Sequence, residues 1–373
     1  MNIALIALPA PGKPNYPPLT LAYLATLLEQ RRHIVRIYDL GLSPEVPFTD
    51  AFKPLHSFRP RVVLIAGELP ETINAAVAAL PRSSEMRSLS IQMSRSGLDA
   101  PHVCASLLAW FDQHYGASES TTSLSVDTLP LPARHLLSLE GYHLRAVGGE
   151  LQTTLIVGAV EPNGHFVLRN PAQLVAELRS VSSEFGLRHY LIPDFDLTRE
   201  RPWLDELLAR LCEANLGVGW EANVQFEQLD AKLIGQMAQA GCEGFCLHLD
   251  AANLFESTSA REALRVVVTH ARQHEIFVRA WLTLAPPYES IAQLVDVAAT
   301  FSLDEVHFDV AHDDAAEVGA DEGQLREMAR QIYDQVRDRQ RLIERFGSPL
   351  GNLIWRVRSL RGSSSPHEGH LLA

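Results

Sequence analysis

Residues 2–40, NIALIALPAPGKPNYPPLTLAYLATLLEQRRHIVRIYDL, read as strand, helix, strand. Asn2 to Leu8 is an apolar run the length of one strand, and prolines stop it. Leu19 to Glu29 places Leu21, Leu24, Leu27 and Leu28 on one side at helical spacing. His33 to Asp39 returns to β-formers with Ile34, Val35 and Ile37. Arg61 to Ala66 (RVVLIA) and Leu89 to Met93 supply two more strands. Such βαβ alternation means a parallel, doubly wound sheet, whose ligands sit at the carboxyl ends of the strands. Those ends carry Pro9 to Pro18 and Gly67 to Thr72, so Pro17, Pro18, Leu19 and Glu68 are candidate cofactor contacts.

From about residue 151 a second alternation begins, with a period near thirty residues. Strands are expected at Thr153 to Ala159, His189 to Pro193, Val218 to Val224, Gly244 to Asp250, Ile276 to Leu284 and Glu305 to Ala311. Helices are expected at Pro171 to Phe185, Glu200 to Asn215, Leu229 to Ala240, Ser257 to His274 and Tyr288 to Phe301. Six strands with intervening helices, joined by right-handed crossovers, make a partial (β/α)6 barrel of TIM-like type the economical reading. The fold class is therefore α/β, a doubly wound sheet followed by a partial barrel. The organisation is read as a first domain at 1–115, a Ser-, Thr- and Pro-rich linker at 116–150, and the barrel at 151–321. A helical segment at 322–361 has one apolar stripe through Leu325, Met328 and Ile332, and a tail follows at 362–373.

Composition narrows the function classes. Of 373 residues, 46 % are hydrophobic and 21 % charged, which describes a globular chain with ample core. The 32 basic against 45 acidic side chains give a net charge of −13, which repels nucleic-acid backbones and anionic lipid. The N-terminus has no basic region of a signal peptide. The uncharged stretch Tyr16 to Leu28 is shorter than the roughly 20 residues a membrane span needs. Cytoplasmic location is the expectation, with no nucleic acid and no membrane as partner. Cys104, Cys212, Cys242 and Cys246 are too few and too scattered for a disulfide scaffold.

Five strings, in order, carry a resemblance. They are PPLTLAYLATLLEQRRHIVRIYDL (17–40), LPLPARHLL (129–137), RNPAQLVAEL (169–178), the strand ending in PDFD (193–196), and AQAGCEGFCLHLD (238–250) followed by AWLTLAPPYES (280–290). Together they resemble the cobalamin-binding radical S-adenosylmethionine (SAM) family across residues 1 to about 310. The resemblance implies a cobalamin-binding-like Rossmann domain, a radical SAM barrel, and cobalamin and SAM as ligands. It places Asp194 and Asp250 at the barrel mouth, where relatives bring SAM near a four-iron cluster.

The chain departs from that pattern at residues 158–171, GAVEPNGHFVLRNP, where the family's CxxxCxxC loop would lie. Only Glu161, Asn163 and His165 stand there as donors, and three thiolates cannot be replaced by those. The expectation is that the [4Fe-4S] cluster is absent. Pro162, Asn163 and Gly164 instead suggest a tight hairpin turn, since Asn-Gly tolerates positive φ. No DxHxxG string for axial cobalt ligation exists; the nearest, DQHYG at 112–116, is one residue short. Cys242 and Cys246 would lie about 13 Å apart along one strand, too far for one metal, and read as structural.

Alternation along the barrel strands puts Glu221, Asn223, His248, Asp250, Arg279, His307 and Asp309 off the apolar faces. Turned inward they form a polar lining suited to a zwitterionic or hydrogen-bonding ligand, with Asp194, Asp250 and Arg279 as contacts at the mouth. The alternative is a buried Arg279–Glu221 ion bridge with the His-x-Asp sets satisfied by neighbours. His307, Asp309 and His312 are metal candidates by donor type, set against a solvated acidic loop. Two functions compete. One is a degenerate, cluster-free protein that binds a small molecule, or partners an active radical SAM relative or another pathway enzyme. The other is an enzyme using cobalamin or SAM for nonradical methyl transfer or rearrangement, with Glu221, His248 and Asp250 as acid/base candidates. Relaxed constraint with no independent role is a third reading.

Overall fold

The computed structural model describes residues 1–9, 16–67, 87–91, 97–115, 124–161, 165–250, 254, 257–284, 301, 303–310, 341, 342 and 345. It divides into two compact units: Met1–Asn223 with Gln239–Cys242, and Val224–Ala238 with Glu243–Ala373.

In the first unit, β1 (Asn2–Ala7) forms the spine of a parallel four-stranded sheet. The order is β2 (Ile34–Asp39), β1, β3 (Val62–Ala66), β4 (Arg87–Ile91). The period of two along β1 sorts its side chains into two cores. Ile3, Leu5 and Ala7 pack with Leu21, Leu24 and Leu28 of α1 (Leu19–Gln30) and with Leu107, Leu108 and Phe111. The last three belong to α4 (Ala100–Tyr115). Ala4, Ile6 and Leu8 pack the other way, on Phe52, Leu55 and Phe58. Those residues belong to or flank two short helices, α2 (Phe48–Ala51) and α3 (Lys53–Phe58). Covering on both sides is what a parallel sheet requires, and it explains why β1 reads as an unbroken aliphatic run.

The segment from 124 to 150, expected to be a linker, is tied down by hydrogen bonds. The Ala133 N–H donates to Ala22 O, Thr26 Oγ1 to Leu131 O, and the Tyr142 hydroxyl to Asp39 Oδ2.

The second alternation opens with β5 (Gln152–Thr154), and here the expected strand at Thr153 to Ala159 is corrected. The ladder ends after Leu155, whose N–H still reaches Leu191 O. Gly158–Val160 (β6) then pairs antiparallel with Phe166–Leu168 (β7). An aliphatic run carries no mark of where the chain leaves one sheet for another, so its pattern alone could not place the break. The flanks fit the expected hairpin, with the Glu161 N–H donating to His165 O at 2.9 Å; Pro162–Gly164 themselves lie outside the described residues.

Helix α5 (Pro171–Phe185) has the expected bounds for local reasons. Asn170 Oδ1 accepts the Ala172 N–H, Pro171 fills the first turn, and Gly186 ends the helix at φ 70°. β8 (His189–Asp196) pairs parallel with β5 and with β9 (Gly219–Val224), with α6 (Arg201–Ala214) between β8 and β9 in the chain.

The second unit repeats the plan. After α7 (Ala231–Gln239) come β10 (Cys242–Asp250), β11 (Phe277–Leu284) and β12 (Glu305–Val310), with β11 parallel to β10 and β12 parallel to β11. α8 (Thr258–Gln273) lies between β10 and β11 in the chain, and its Ser257 cap accepts the Ala260 N–H. The expected helices at Tyr288 to Phe301 and from Glu322 onward fall almost wholly outside the described residues, as do Glu68 and His312. The same holds for the side chains of Asp194, Asp250 and Asp309. Among the described residues no helix is long and apolar enough to cross a membrane.

Candidate functional site

In the second unit, register brings the chemistry-bearing side chains into rows. Cys246, Arg279 and Glu305 are neighbours across β10, β11 and β12, and His248, Trp281 and His307 form the next row on the same face. The opposite face carries Phe245, Leu247, Leu249, Val278, Ala280, Leu282 and Val306, all buried. The polar face is partly open. His248 is exposed, and the side chains of Arg279, Glu305 and His307 keep 22 %, 31 % and 33 % of their surface. Parallel strands are normally covered on both faces, so an open polar face marks a place where something other than core was selected.

Glu305 is the hub. Arg279 Nε donates to Glu305 Oε2 at 2.6 Å, and His307 Nε2 lies 3.0 Å from Oε1. The hydrogen bond from His307, aided by Arg279, pulls the Glu305 carboxyl down to about 2 against the opposing effect of its partial burial. A carboxylate accepting at Nε2 selects the tautomer that carries its proton there, which leaves Nδ1 as the basic nitrogen. The His307 ring stacks on Trp281 at 4.5 Å between centroids, and Arg279 Nη1 approaches Cys246 Sγ at 3.8 Å. The row can therefore orient an imidazole and present hydrogen-bonding groups beside an aromatic surface.

Of the predicted residues, His248, Arg279 and His307 come together here. Glu221 belongs to the first unit, buried, accepting from Gln152 Nε2 at 3.0 Å and the Val147 N–H at 3.2 Å. Asn223 donates to Pro193 O. Pro17, Pro18 and Leu19 are buried at the start of α1.

Sequence reading missed a buried ionic cluster in the first unit. Arg134, Arg169 and Glu177 are each no more than 2 % exposed. Arg134 Nη2 donates to Glu177 Oε1 at 2.9 Å and to Thr154 O at 2.8 Å, and its Nη1 donates to Thr153 Oγ1. Arg169 Nη1 donates to Ile156 O and forms an ion pair with Glu177 Oε2 at 2.8 Å. Burial pushes the Glu177 carboxyl up, but Arg169 and Arg134 outweigh it and hold it below the usual carboxylate range. Burial also pushes the Tyr23 phenol up, with the two arginines opposing. One signal was available: Glu177 shares the helical stripe of Leu174, Leu178 and Val181, a position that wants an apolar side chain.

The segment that follows β5 is held by apolar packing. Leu155, Ile156 and Val157 are buried, the Val160 N–H donates to Leu98 O, and Phe166 stacks on Phe195 at 4.6 Å and 8°. The four cysteines lie on α4, α6 and β10, all as free thiols, with only Cys212 exposed. Among the described residues no three His, Cys, Asp or Glu side chains gather to hold a metal. The residues present do not fit a four-iron cluster. Nor do Asp112 and His114 fit axial cobalt ligation: both lie on α4, Asp112 is paired with Arg31 at 3.1 Å, and His114 stacks on Trp110 at 4.5 Å.

These features define an α/β chain built on parallel sheets. Two solved structures share that fold. Both are the radical S-adenosylmethionine methyltransferase TsrM from Kitasatospora setae, one with cobalamin and a [4Fe-4S] cluster bound, the other with tryptophan substrate and the SAM analogue aza-SAM. The first is 13 % identical with TM-score 0.56 over 83 % of this chain and 74 % of that one. The second is 15 % identical with TM-score 0.56 over 82 % and 72 %. At such identity the likeness carries the fold. No family model matches the chain, and no curated protein sequence does.

Proposed function

We propose that this chain is a degenerate member of the cobalamin-binding radical SAM family, a pseudoenzyme that binds a small molecule or partners an active relative or pathway enzyme in the cytoplasm. The observation that carries this reading is the segment after β5. It holds no cysteine and packs as an apolar hairpin where such proteins seat their electron donor. Without iron to deliver an electron, reductive cleavage of SAM has no source. The test is anaerobic iron–sulfur reconstitution followed by incubation with SAM and reductant. The reading expects no stable iron–sulfur chromophore and no 5′-deoxyadenosine; stoichiometric iron with SAM turnover would overturn it.

A second reading is favoured by the Arg279–Glu305–His307 cluster, which is more than a scaffold needs. In it the chain binds cobalamin or SAM and transfers a methyl group by polar chemistry, with His307, His248 or Asp250 handling the proton. Stoichiometric retention of cobalamin, read from the visible spectrum after purification with cobalamin supplied, favours this second reading. A colourless protein that binds neither cobalamin nor SAM by calorimetry favours the first.

A further inference from the structure

One edge of the first sheet carries charge opposite in sign to that of the chain as a whole. Residues 1–62 hold seven basic and four acidic side chains, against 32 and 45 in all 373. β2 ends the sheet on one side, and Arg32, Arg36 and Arg59 are exposed around its amino end. Contacts fix that placement. The Ile34 N–H donates to Met1 O, Asn2 Nδ2 donates to Phe58 O, and the Arg36 guanidinium lies 4.6 Å from the centre of the Phe58 ring. None of the three arginines has a carboxylate partner among the described residues. Arg32 and Arg59 hold φ of 62° and 48°, a backbone that favours glycine, so what arginine adds at either place is its side chain.

The backbone beside them is open. Register with β1 turns the N–H and C=O groups of Ile34, Arg36 and Tyr38 inward, so those of Val35 and Ile37 point outward, and no hydrogen bond among the described residues takes them. Ile34 leaves 62 % of its surface exposed. An uncovered edge with an exposed aliphatic side chain is a template for one more strand. Pairing with the same edge of a second copy would set arginine against arginine, whereas a strand bearing carboxylates opposite Arg36 is favoured.

The geometry points to β2 as a docking edge for an extended acidic segment of a partner protein. That segment adds as an outer strand, its carboxylates against Arg32 and Arg36 and its alternate apolar side chains beside Ile37. The inference rests on the partner reading of the function proposed above and supplies the partner's chemistry. The chain's net charge of −13 repels such a segment generally, so attachment at this edge works against the bulk field and is not produced by it.

A capped, fluorescein-labelled hexapeptide of alternating glutamate and valine is titrated with the full chain by anisotropy, alongside its lysine–valine counterpart, heparin and phosphatidylserine vesicles. The acidic peptide is expected to bind at one site and to slow amide hydrogen exchange at Val35 and Ile37. Arg32→Ala and Arg36→Ala are each expected to weaken it about threefold, and together about tenfold. Arg36→Glu is expected to lose the acidic peptide and gain the lysine one. Arg210→Ala, which alters an exposed arginine on α6 paired with Glu206, is expected to change nothing. The proposal is overturned if the acidic peptide fails to bind, whether or not heparin or the vesicles do, or if exchange at Val35 and Ile37 stays as fast with peptide as without. It is equally overturned if R32A and R36A leave affinity unchanged or if R210A weakens it as much. Iron uptake with SAM turnover would strike the proposed function and leave this edge standing, so the two failures are distinct. All the substitutions are at the surface, and matching urea midpoints verify that each variant is folded.

Discussion

Replacing Glu177 by Gln removes the carboxylate that is paired with both Arg134 and Arg169, and the consequence follows from the geometry. Gln keeps an oxygen for Arg134 Nη2, so the 2.9 Å hydrogen bond survives as a neutral-acceptor bond. What goes is the charge that offsets two guanidinium groups with side-chain exposures of 1 % and 3 %. Breaking a buried pair from one side costs about 3–5 kcal/mol, because the remaining charges stay desolvated and uncompensated. At about 1.4 kcal/mol per factor of ten, the folded-to-unfolded ratio drops by a hundredfold to a few thousandfold. Against a typical total of about 5–15 kcal/mol, the first unit becomes marginal.

Urea unfolding followed by far-UV circular dichroism and by tryptophan fluorescence reads the loss directly. The triple variant Arg134→Met, Arg169→Met, Glu177→Leu is the informative companion. It removes all three charges but leaves Thr154 O and Ile156 O without their arginine donors, at about 1–3 kcal/mol for each carbonyl left bare. It should therefore recover part of the loss and not all of it. The Glu177 carboxyl is depressed in the folded state, so its contribution is present above the ordinary carboxylate value of about 4.3 and fades as pH falls through the lower folded value. An E177Q protein within about 1 kcal/mol of the parent at neutral pH would refute the reasoning.

Three further outcomes can be measured. In the native chain Ellman's reagent should react quickly with Cys212 alone, with Cys104, Cys242 and Cys246 released only on unfolding; a second fast thiol would contradict their burial. Gly158→Ala should destabilise the hairpin, since the added carbon would stand 2.6 Å from Val167 O and 2.5 Å from the Phe166 ring, and faster proteolysis near residues 158–168 is the readout. Because the Glu305 carboxyl is held at about 2, Glu305→Gln should be less stable than the parent near pH 6. That difference should shrink as pH falls from about 4.3 toward 2; a difference constant across that range would remove the coupling to Arg279 and His307.

The regular framework was legible because its causes are local. β1 must be covered on both faces and so reads as continuous aliphatics, while α5 carries its own start at Asn170–Pro171 and its own stop at Gly186. That His248, Arg279 and His307 lie on the polar face of their strands followed from strand alternation alone. Glu305 escaped notice because its role comes from lying opposite Arg279 in register, and no single strand reveals that. The break after Thr154 was hidden inside a uniform run, where hydrophobicity cannot tell a strand that continues from one that turns back. Arg134 was hidden by its surroundings, since a Ser-, Thr- and Pro-rich stretch suggests a tether and its burial depends on partners dozens of residues away.

That partnership makes residues 1–115 a poor candidate for an autonomous piece. Tyr23 and Leu24 lie in the interior against a core that includes Leu129, Ala133 and Ile156, and Arg134 within that stretch waits on Glu177 for its counter-charge. During synthesis the amino-terminal sheet can emerge and pair its strands early, yet its core is completed only when residues 129–156 have left the ribosome. A fragment cut at 150 would display a greasy flank and an unneutralised guanidinium, and should be handled by chaperones or lost to aggregation.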